Sequence, residues 1–240
     1  MNKGLIVVPT YQEREALPTF LAAARGLAEE FDVLIVDDGS PDGTGALADE
    51  AATCDAQIHV LHRTAKDSLG AAYRAGFAWA LERDYAVVVQ MDVDLSHPPT
   101  ALAGMREAAV RGAGLVIGTR YLPGGGTEGW PLARRVISRI GCAAASRALR
   151  LPYSDLSGGF KLWTAEALRQ IDVATTLSTG YVFQIETTQR AHRAGVSVVE
   201  LPFVFRDRVA GTSKMEPAIA LEGARIVARL RRDPWHPRAA

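Results

Sequence analysis

The chain has 240 residues, 48% of them hydrophobic, and its 27 basic residues balance its 27 acidic ones. A chain of this length and composition is enough for one large α/β domain or two small ones, with a real apolar core. The two cysteines, Cys54 and Cys142, lack the spacing of a metal site or a redox pair, so we expect reduced thiols.

The zero net charge conceals an asymmetry along the chain. Residues 1–60 contain 11 acids and 3 bases, whereas residues 120–150 contain six arginines and one acid, Glu128. Many of these arginines are expected on solvated helix faces, but a basic second half also suits an enzyme with anionic substrates. Nucleic acid is not an expected partner, because the sequence has no basic repeat, zinc spacing or aromatic–basic signature.

Short apolar runs alternate with helical periodicity through the first half of the chain. Strands are predicted at residues 5–8, 33–36, 57–61, 86–91 and 115–118, and helices at 14–29, 44–52, 69–83 and 100–111. This alternation is typical of an α/β fold with a doubly wound, mostly parallel sheet and helices on both faces. In such sheets, ligands bind beyond the carboxyl ends of the strands.

The regular alternation ends near residue 120. We predict a flexible glycine-rich loop at 121–129, helices at 130–149 and 165–171, a segment entering another helix at 178–186, and a strand at 196–201. No run of Pro, Gly or Ser is long enough to be a linker, so we expect a single domain.

The apolar segments of the sequence bear on membrane attachment. No segment reaches the roughly 20 apolar residues that a membrane span requires, and the apolar run at 5–8 is too short for a signal peptide. We expect a soluble protein, or one attached to a membrane surface. Residues 216–232 predict an amphipathic helix that either lies at a membrane interface or packs on the core. Its apolar face is Ile219, Ile226, Val227 and Leu230, and its charged face is Glu222, Arg225, Arg229 and Arg232.

Acidic pairs follow two of the predicted strands. Asp37 and Asp38 precede a Gly-Ser-Pro turn after the second strand, and Asp92 and Asp94 follow the fourth. Side chains at i and i+2 of a strand share one side, where two carboxylates repel each other unless a cation lies between them. Hard oxygen ligands suit Mg²⁺ or Mn²⁺ shared with substrate phosphates. The alternatives are an ordinary turn for the first pair and a helix cap for the second.

Ser96 and His97 follow the second acidic pair and offer two further ligands for a metal ion. Asp155 and Glu186 are additional candidate acids, each of which could instead be a helix cap or half of a structural ion pair. No GxGxxG motif follows the first strand and no GxxxxGK[ST] motif occurs. The sequence therefore gives no motif support for a dinucleotide-dependent oxidoreductase or a P-loop NTPase.

Two groups of cations occur in the second half. Arg208 and Lys214 flank a Gly-Thr-Ser loop, where two positive charges suit a departing diphosphate. Arg134, Arg135 and Ser138 lie about one helical turn apart, a spacing that can hold a phosphate monoester. Ordinary surface charge is the alternative for both groups.

These stretches together resemble an inverting family 2 glycosyltransferase of GT-A fold, and more narrowly the polyprenol-phosphate (dolichol-phosphate) mannose synthases. The matching motifs run through most of the chain, at residues 8–13, 36–44, 91–98, 118–121, 129–139, 154–160, 180–184 and 208–214. The resemblance implies a nucleotide-sugar half at 1–120, an acceptor half at 121–215 and a C-terminal amphipathic helix and tail at 216–240.

The resemblance also implies roles for individual residues. Those that would bind the nucleotide sugar are Pro9, Tyr11, Glu13, Val36, Asp38, Asp92, Asp94, Arg208 and Lys214. Those that would hold Mg²⁺ or Mn²⁺ are Asp92, Asp94 and Ser96, although some members carry Gln at the position of Ser96. Those that would receive the acceptor phosphate are Arg120, Arg135 and Ser138, with Arg134 as the alternative to Arg135. The implied catalytic residues are Asp94, Arg120, Arg208 and Lys214.

The reaction implied by the resemblance is transfer of mannose from GDP-mannose to a polyprenyl monophosphate, with inversion. A phosphate oxygen is already anionic near neutral pH, so a dedicated general base is not required. Two alternatives stay open: a UDP-glucose-dependent polyprenyl-phosphate glucosyltransferase, and a non-catalytic nucleotide-sugar-binding subunit. The lipid acceptor implies work at the cytoplasmic face of a membrane, with or without a separate membrane-protein partner.

Overall fold

A seven-stranded sheet forms the centre of the fold. The computed structural model describes residues 3–27, 30–64, 66–180, 182–207, 217–232 and 235, with the main chain alone at 27 and 217–222. In chain order the strands are β1 (Gly4–Thr10), β2 (Phe31–Asp37), β3 (Ile58–His62), β4 (Val87–Gln90), β5 (Leu115–Thr119), β6 (Gly126–Glu128), β7 (Lys161–Thr164), β8 (Val198–Pro202) and β9 (Val204–Arg206). The sheet has the order β3-β2-β1-β4-β7-β5-β8, and β6 pairs separately with β9.

Helices follow most of the strands. They are α1 (Leu17–Ala24), α2 (Thr44–Cys54), α3 (Leu69–Leu81), α4 (Leu102–Val110), α5 (Leu132–Leu149), α6 (Ala165–Gln170), α7 (Val182–Arg193) and α8 (Pro217–Arg232). The prediction of a helix at 14–29 was too long at its start. The helix begins at Leu17, with Pro18 in the first turn where a missing N–H costs nothing, and it gives way to a 3-10 turn at Arg25–Leu27.

The predicted α/β class and the mostly parallel, doubly wound sheet are confirmed. β1 pairs in parallel with β2 and β4, β2 with β3, and β5 with β8. One face of the sheet is covered by α1, α2 and α4, and the other by α3, α6 and α7. Because both faces are buried, the strands are continuous apolar runs, as in residues 5–8 of β1.

Strand β7 was not predicted, and it lies in the middle of the sheet. It runs antiparallel to both of its neighbours, β4 and β5. The predicted loop at 121–129 was also wrong in part, because it contains β6, which pairs with β9. Both errors have one cause: these strands have only three or four residues, and their partners lie far away in the sequence.

The C-terminal helix packs on the core over the residues whose side chains are described. Leu230 of α8 is buried against Val182, Ile185 and Leu149, and Ile226 and Val227 are partly buried in the same cluster. This is the second of the two predicted alternatives. Among the described helices, none combines the length and the apolar content that crossing a bilayer demands.

Strand order reverses between β1 and β4, since the chain passes outward from β1 through β2 to β3 and then returns to the opposite side of β1. A crevice therefore opens beyond the carboxyl ends of β1 and β4. The residues that follow these ends are those that carry the predicted motifs.

Candidate active site

The loops after β1, β2 and β4 converge at this crevice. The Asp37 carboxylate accepts hydrogen bonds from the Thr10 hydroxyl (3.1 Å) and from the Ser40 main-chain N–H (3.0 Å). The Asp38 N–H donates to the Thr10 carbonyl oxygen (3.1 Å). Asp37 therefore holds the first two loops together, which is a structural role.

The Asp92–Asp94 loop is held in a strained conformation. Leu95 adopts a left-handed φ of 56°, which costs a side-chain-bearing residue on the order of 1 kcal/mol. The turn brings the Ser96 N–H to the Asp94 carboxylate (3.0 Å). The Ser96 hydroxyl is buried and has no hydrogen-bond partner among the described residues. A buried hydroxyl without a partner, close in sequence to two carboxylates, fits the oxygen ligands that were predicted for a metal ion.

His97 supports this loop. Its ring stacks on Phe160 (centroids 4.9 Å apart), and its Nδ1 accepts a hydrogen bond from the Asp92 N–H (3.1 Å). Burial lowers the pKa of His97, although the charges of Asp92 and Asp94 oppose the shift. The imidazole is therefore neutral, and the 3.9 Å separation between its Nε2 and Asp92 Oδ2 is too long for a hydrogen bond. With Nδ1 engaged, His97 positions the loop instead of adding a metal ligand through that atom.

The chemistry of the donor set fits Mg²⁺ or Mn²⁺. Asp92, Asp94 and Ser96 offer hard oxygen ligands. In the described part of the chain, no three or more His, Cys, Asp or Glu side chains are grouped so that they alone could hold a metal ion. Two carboxylates and a hydroxyl do not complete an octahedral shell. The remaining positions suit phosphate oxygens and water, which is how Mg²⁺ is commonly held beside a nucleotide.

On the other side of the crevice, two cations contact the predicted nucleoside residues. Arg63 forms an ion pair with the buried Asp38 (2.7 Å), and Lys66 Nζ lies 4.1 Å from the centre of the Tyr11 ring. Burial raises the pKa of Asp38, while the charge of Arg63 opposes the shift. The sequence analysis missed Arg63 and Lys66. Their position after β3, at the same edge of the sheet as the acids, was the available signal.

The other predicted nucleoside residues lie at the same edge. Pro9 and Val36 are register partners in β1 and β2, but the Val36 side chain packs in the core, so only its main chain is left for a ligand. The Glu13 N–H donates to the Thr44 hydroxyl at the start of α2 (3.0 Å).

An arginine-lined cavity of about 490 Å³ opens beyond β5. Its lining residues are Arg120, Tyr121, Leu122, Pro123, Gly125, Gly126, Thr127, Leu132, Arg135, Val136 and Arg139. Ser138, predicted to receive phosphate together with Arg135, shares a 2.7 Å hydrogen bond with the Tyr121 hydroxyl. Arg134 is engaged elsewhere: it stacks on Trp130 (3.9 Å) and pairs with Asp207 (3.4 Å). Of the two alternatives, Arg135 is the one that lines the cavity.

Arg120 is less available than predicted. Its Nε and Nη2 each donate a 2.7 Å hydrogen bond to the Asp155 carboxylate, which is completely buried. Burial opposes the charge of Arg120, yet these hydrogen bonds and the charge of Asp155 raise the pKa of the guanidinium above its usual value. Asp155 is thus half of a structural ion pair, one of its predicted alternatives. The charge of Arg120 is already balanced by Asp155, and Arg120 lines the cavity.

Glu186 is also committed to the structure. Its carboxylate pairs with the buried Arg190 (2.7 Å) and accepts a hydrogen bond from the Ser178 N–H (2.8 Å). Neither of the two extra candidate acids therefore has the surroundings of a general base.

The sequence analysis also missed several buried polar side chains near the loop that carries Asp92 and Asp94. The Tyr73 hydroxyl, Gln90 Nε2 and both polar atoms of the Gln184 amide have no hydrogen-bond partner among the described residues. Burial raises the pKa of Tyr73 far above its usual value, and the charges of Asp92 and Asp94 add to the shift. A Cβ placed on Gly159 would lie 3.7 Å from Gln184 Nε2. Because orphaned polar atoms are rare in native interiors, these side chains indicate a ligand or ordered water.

Arg208 and Lys214, the two predicted cations of the last loop, lie outside the described residues, so their roles stay predictions.

A comparison with solved structures shows a shared fold. The chain is 16% identical to glucosyl-3-phosphoglycerate synthase from Mycobacterium tuberculosis, solved with Mn²⁺, UDP-glucose and phosphoglyceric acid. The similarity has a TM-score of 0.71 and covers 98% of this chain and 81% of that one. The predicted GT-A fold is thereby confirmed.

Two relatives have much higher sequence identity to this chain than that structure has. The chain is 46% identical to a polyprenol monophosphomannose synthase from Mycolicibacterium smegmatis, over 89% of this chain and 81% of the relative. It is 47% identical to an undecaprenyl-phosphate mannosyltransferase from Micrococcus luteus, over 94% of this chain and 92% of the relative. The model of glycosyl transferase family 2 matches residues 5–172. With more than half of its length matched, and with the carboxylate pair at the expected strand end, this chain belongs to glycosyl transferase family 2.

Proposed function

We propose that this protein transfers mannose from GDP-mannose to a polyprenyl monophosphate with inversion, giving polyprenyl-phosphate β-mannose and GDP. The observation that carries the proposal is the placement of a carboxylate pair and an arginine-lined cavity on one edge of the sheet. The first suits a sugar diphosphate, and the second suits a phosphate monoester. The two relatives named for mannosyl transfer to polyprenol acceptors supply the substrate classes.

On the donor side, Tyr11, Glu13 and Asp38 hold the nucleoside, while Asp92 and Asp94 face the diphosphate. Mg²⁺ or Mn²⁺, when bound by the two carboxylates and the Ser96 hydroxyl, would neutralise charge on the diphosphate. The orphaned amide of Gln184 and the Tyr73 hydroxyl suit the hydroxyl groups of a hexose, which both donate and accept hydrogen bonds. Arg208 and Lys214 are proposed to close over the leaving GDP.

On the acceptor side, Arg135 and the Ser138 hydroxyl bind the lipid phosphate at the mouth of the cavity. A phosphate oxygen attacks C1 of the sugar in line with the departing diphosphate, which inverts the configuration. This nucleophile is already ionised. The absence of an available general base at Asp155 or Glu186, both of which are held in buried ion pairs, agrees with such a reaction.

A lipid acceptor requires the protein to act at a membrane surface. We propose peripheral work at the cytoplasmic face of a membrane, with or without a separate membrane-protein partner.

The direct test is transfer of radiolabelled sugar to a defined polyprenyl phosphate, with Mg²⁺ or Mn²⁺, from GDP-mannose and from UDP-glucose in parallel. We expect labelled lipid from GDP-mannose. Labelled lipid from UDP-glucose alone would refute mannosyl transfer and show that the protein is a polyprenyl-phosphate glucosyltransferase. Nucleotide-sugar binding without transfer from either donor would favour a non-catalytic subunit.

A further inference from the structure

Helix α5 presents an apolar face to solvent. Leu132, Val136, Ile137 and Ile140 are 72%, 47%, 61% and 63% exposed, and we call these four residues the α5 apolar face. They are four of the six large hydrophobic side chains that are exposed in the described part of the chain. Scattered exposed hydrophobic residues are ordinary, but a contiguous apolar patch on one helix indicates an interaction surface.

The exposure does not come from a detached helix. The opposite side of α5 is buried through Cys142, Ala145 and Leu149, and Ala145 and Leu149 share a hydrophobic cluster with Leu230 of α8. The C-terminal half of the helix is therefore packed on the core. Its N-terminal half is held by the Arg134–Asp207 ion pair (3.4 Å) and the Tyr121–Ser138 hydrogen bond (2.7 Å), which leaves the α5 apolar face uncovered.

The charges around this face are of one sign. Between Leu132 and Leu149 the helix carries four arginines and no acid. Arg135 and Arg139 are exposed and line the cavity, which Leu132 and Val136 of the α5 apolar face also line. The apolar face and the cavity are thus continuous. A helix with an apolar face bordered by arginines is suited to the surface of an anionic bilayer.

We propose that the α5 apolar face lies on an anionic phospholipid bilayer and opens the arginine-lined cavity toward the lipid headgroups. The inference rests on the proposed function, because a polyprenyl phosphate keeps its tail in the hydrocarbon and its phosphate at the bilayer surface. A cavity that receives this phosphate must therefore have its mouth at that surface. The apolar side of α8 does not supply this contact through its described side chains, because Ile226, Val227 and Leu230 pack on the core.

A second copy of the chain is a poorer occupant. A two-fold interface places the same patch of both copies face to face. The exposed Arg135 and Arg139 of each copy would then approach those of the other, with no acid on either α5 to compensate. Anionic headgroups satisfy the same arginines without this repulsion.

The test is sedimentation with vesicles of phosphatidylcholine and phosphatidylglycerol. The variants are Ile137→Gln, Ile140→Gln and the double variant, which keep good helix formers at solvent-exposed positions. Val110→Gln is the matched control, since Val110 is 61% exposed but lies at the end of α4. We expect vesicle affinity to fall about tenfold to hundredfold in the double variant, because two isoleucines no longer leave water. The control should bind like the parent protein.

Two further measurements separate this inference from the proposed function. GDP binding and transfer to a short-chain, water-soluble polyprenyl phosphate should be unchanged in the double variant, while transfer to a long-chain acceptor in vesicles falls. Equal vesicle binding by the parent and the double variant would overturn the proposal. So would a lipid-free dimer that the double variant abolishes, because the face would then belong to a second copy. If the double variant loses vesicle binding but the parent protein transfers sugar to no acceptor, the membrane-binding role of the α5 apolar face is supported and the proposed reaction is refuted.

Discussion

Replacing Lys161 by methionine should flatten the pH dependence of stability. Lys161 is completely buried, and its Nζ donates hydrogen bonds to the Gln184 carbonyl oxygen (2.7 Å) and the Thr188 hydroxyl (2.8 Å). Burial lowers the pKa of Lys161 to about 7, against the opposing charge of Asp155. Methionine has a similar length and no titratable group.

The sign of the effect follows from proton binding. Below about pH 7 the amine is charged in both the folded and the unfolded chain, and the folded state carries the cost of burying that charge. As the pH rises from about 7 toward 10.5, the usual pKa of the group, the unfolded chain binds the extra proton. The free energy of unfolding then rises by up to about 1.4 kcal/mol per pH unit. From about pH 7.5 to 9.5, the contribution of Lys161 is about 2.5 kcal/mol.

Urea unfolding at several pH values measures this contribution. Groups shared by the parent protein and Lys161→Met cancel in the difference between their pH profiles, so the parent should gain about 2.5 kcal/mol relative to the variant over this range. Thr188→Val, which removes one hydrogen-bond acceptor but keeps the amine, should retain the dependence. Parallel profiles for the parent and Lys161→Met would show that the amine is charged in the folded protein and would refute the reasoning.

Three other predictions concern the site. Asp155→Asn should cost about 3–5 kcal/mol in urea unfolding, because it leaves the charge of Arg120 buried without its partner; a loss below about 1 kcal/mol would contradict a buried ion pair. Arg135→Ala should raise the KM for the lipid acceptor about tenfold or more and leave the donor KM unchanged. Arg134→Ala is its control, and the reverse ranking would move the phosphate to Arg134. Asp94→Ala should abolish Mn²⁺-dependent GDP binding, measured by calorimetry, without changing the circular dichroism spectrum; binding that still depends on Mn²⁺ would place the metal elsewhere.

The parallel part of the fold was predictable because its physics is local. A strand buried on both faces needs a continuous apolar run, and residues 33–36 and 115–118 are short, β-branched runs of this kind. Strand β7 could not be found in this way, since its first residue is a lysine. The buried amine of Lys161 donates hydrogen bonds to two acceptors on α7. Local sequence patterns do not show that α7 packs beside β7.

The site was predictable to the same extent. The acids that follow β2 and β4 could be placed together because parallel strands end at one edge. The pairing of Arg120 with Asp155 spans 35 residues, and no local pattern distinguishes an arginine that binds phosphate from one that is neutralised by a buried acid. The α5 apolar face was missed for a related reason: helical periodicity shows that a face is apolar, but not whether it is covered.

The position of β7 between β4 and β5 affects how the sheet forms during synthesis. β4 and β5 follow each other in the chain, yet β7 lies between them and pairs with both. During synthesis, the edge of β4 that faces away from β1 and the edge of β5 that pairs with β7 therefore stay unpaired until residue 164 has emerged from the ribosome. Open strand edges of this kind are templates for aggregation. A shortened chain that ends before β7 would retain the nucleotide motifs and still lack the strand that joins the two parts of the sheet, so it should be recovered as aggregate.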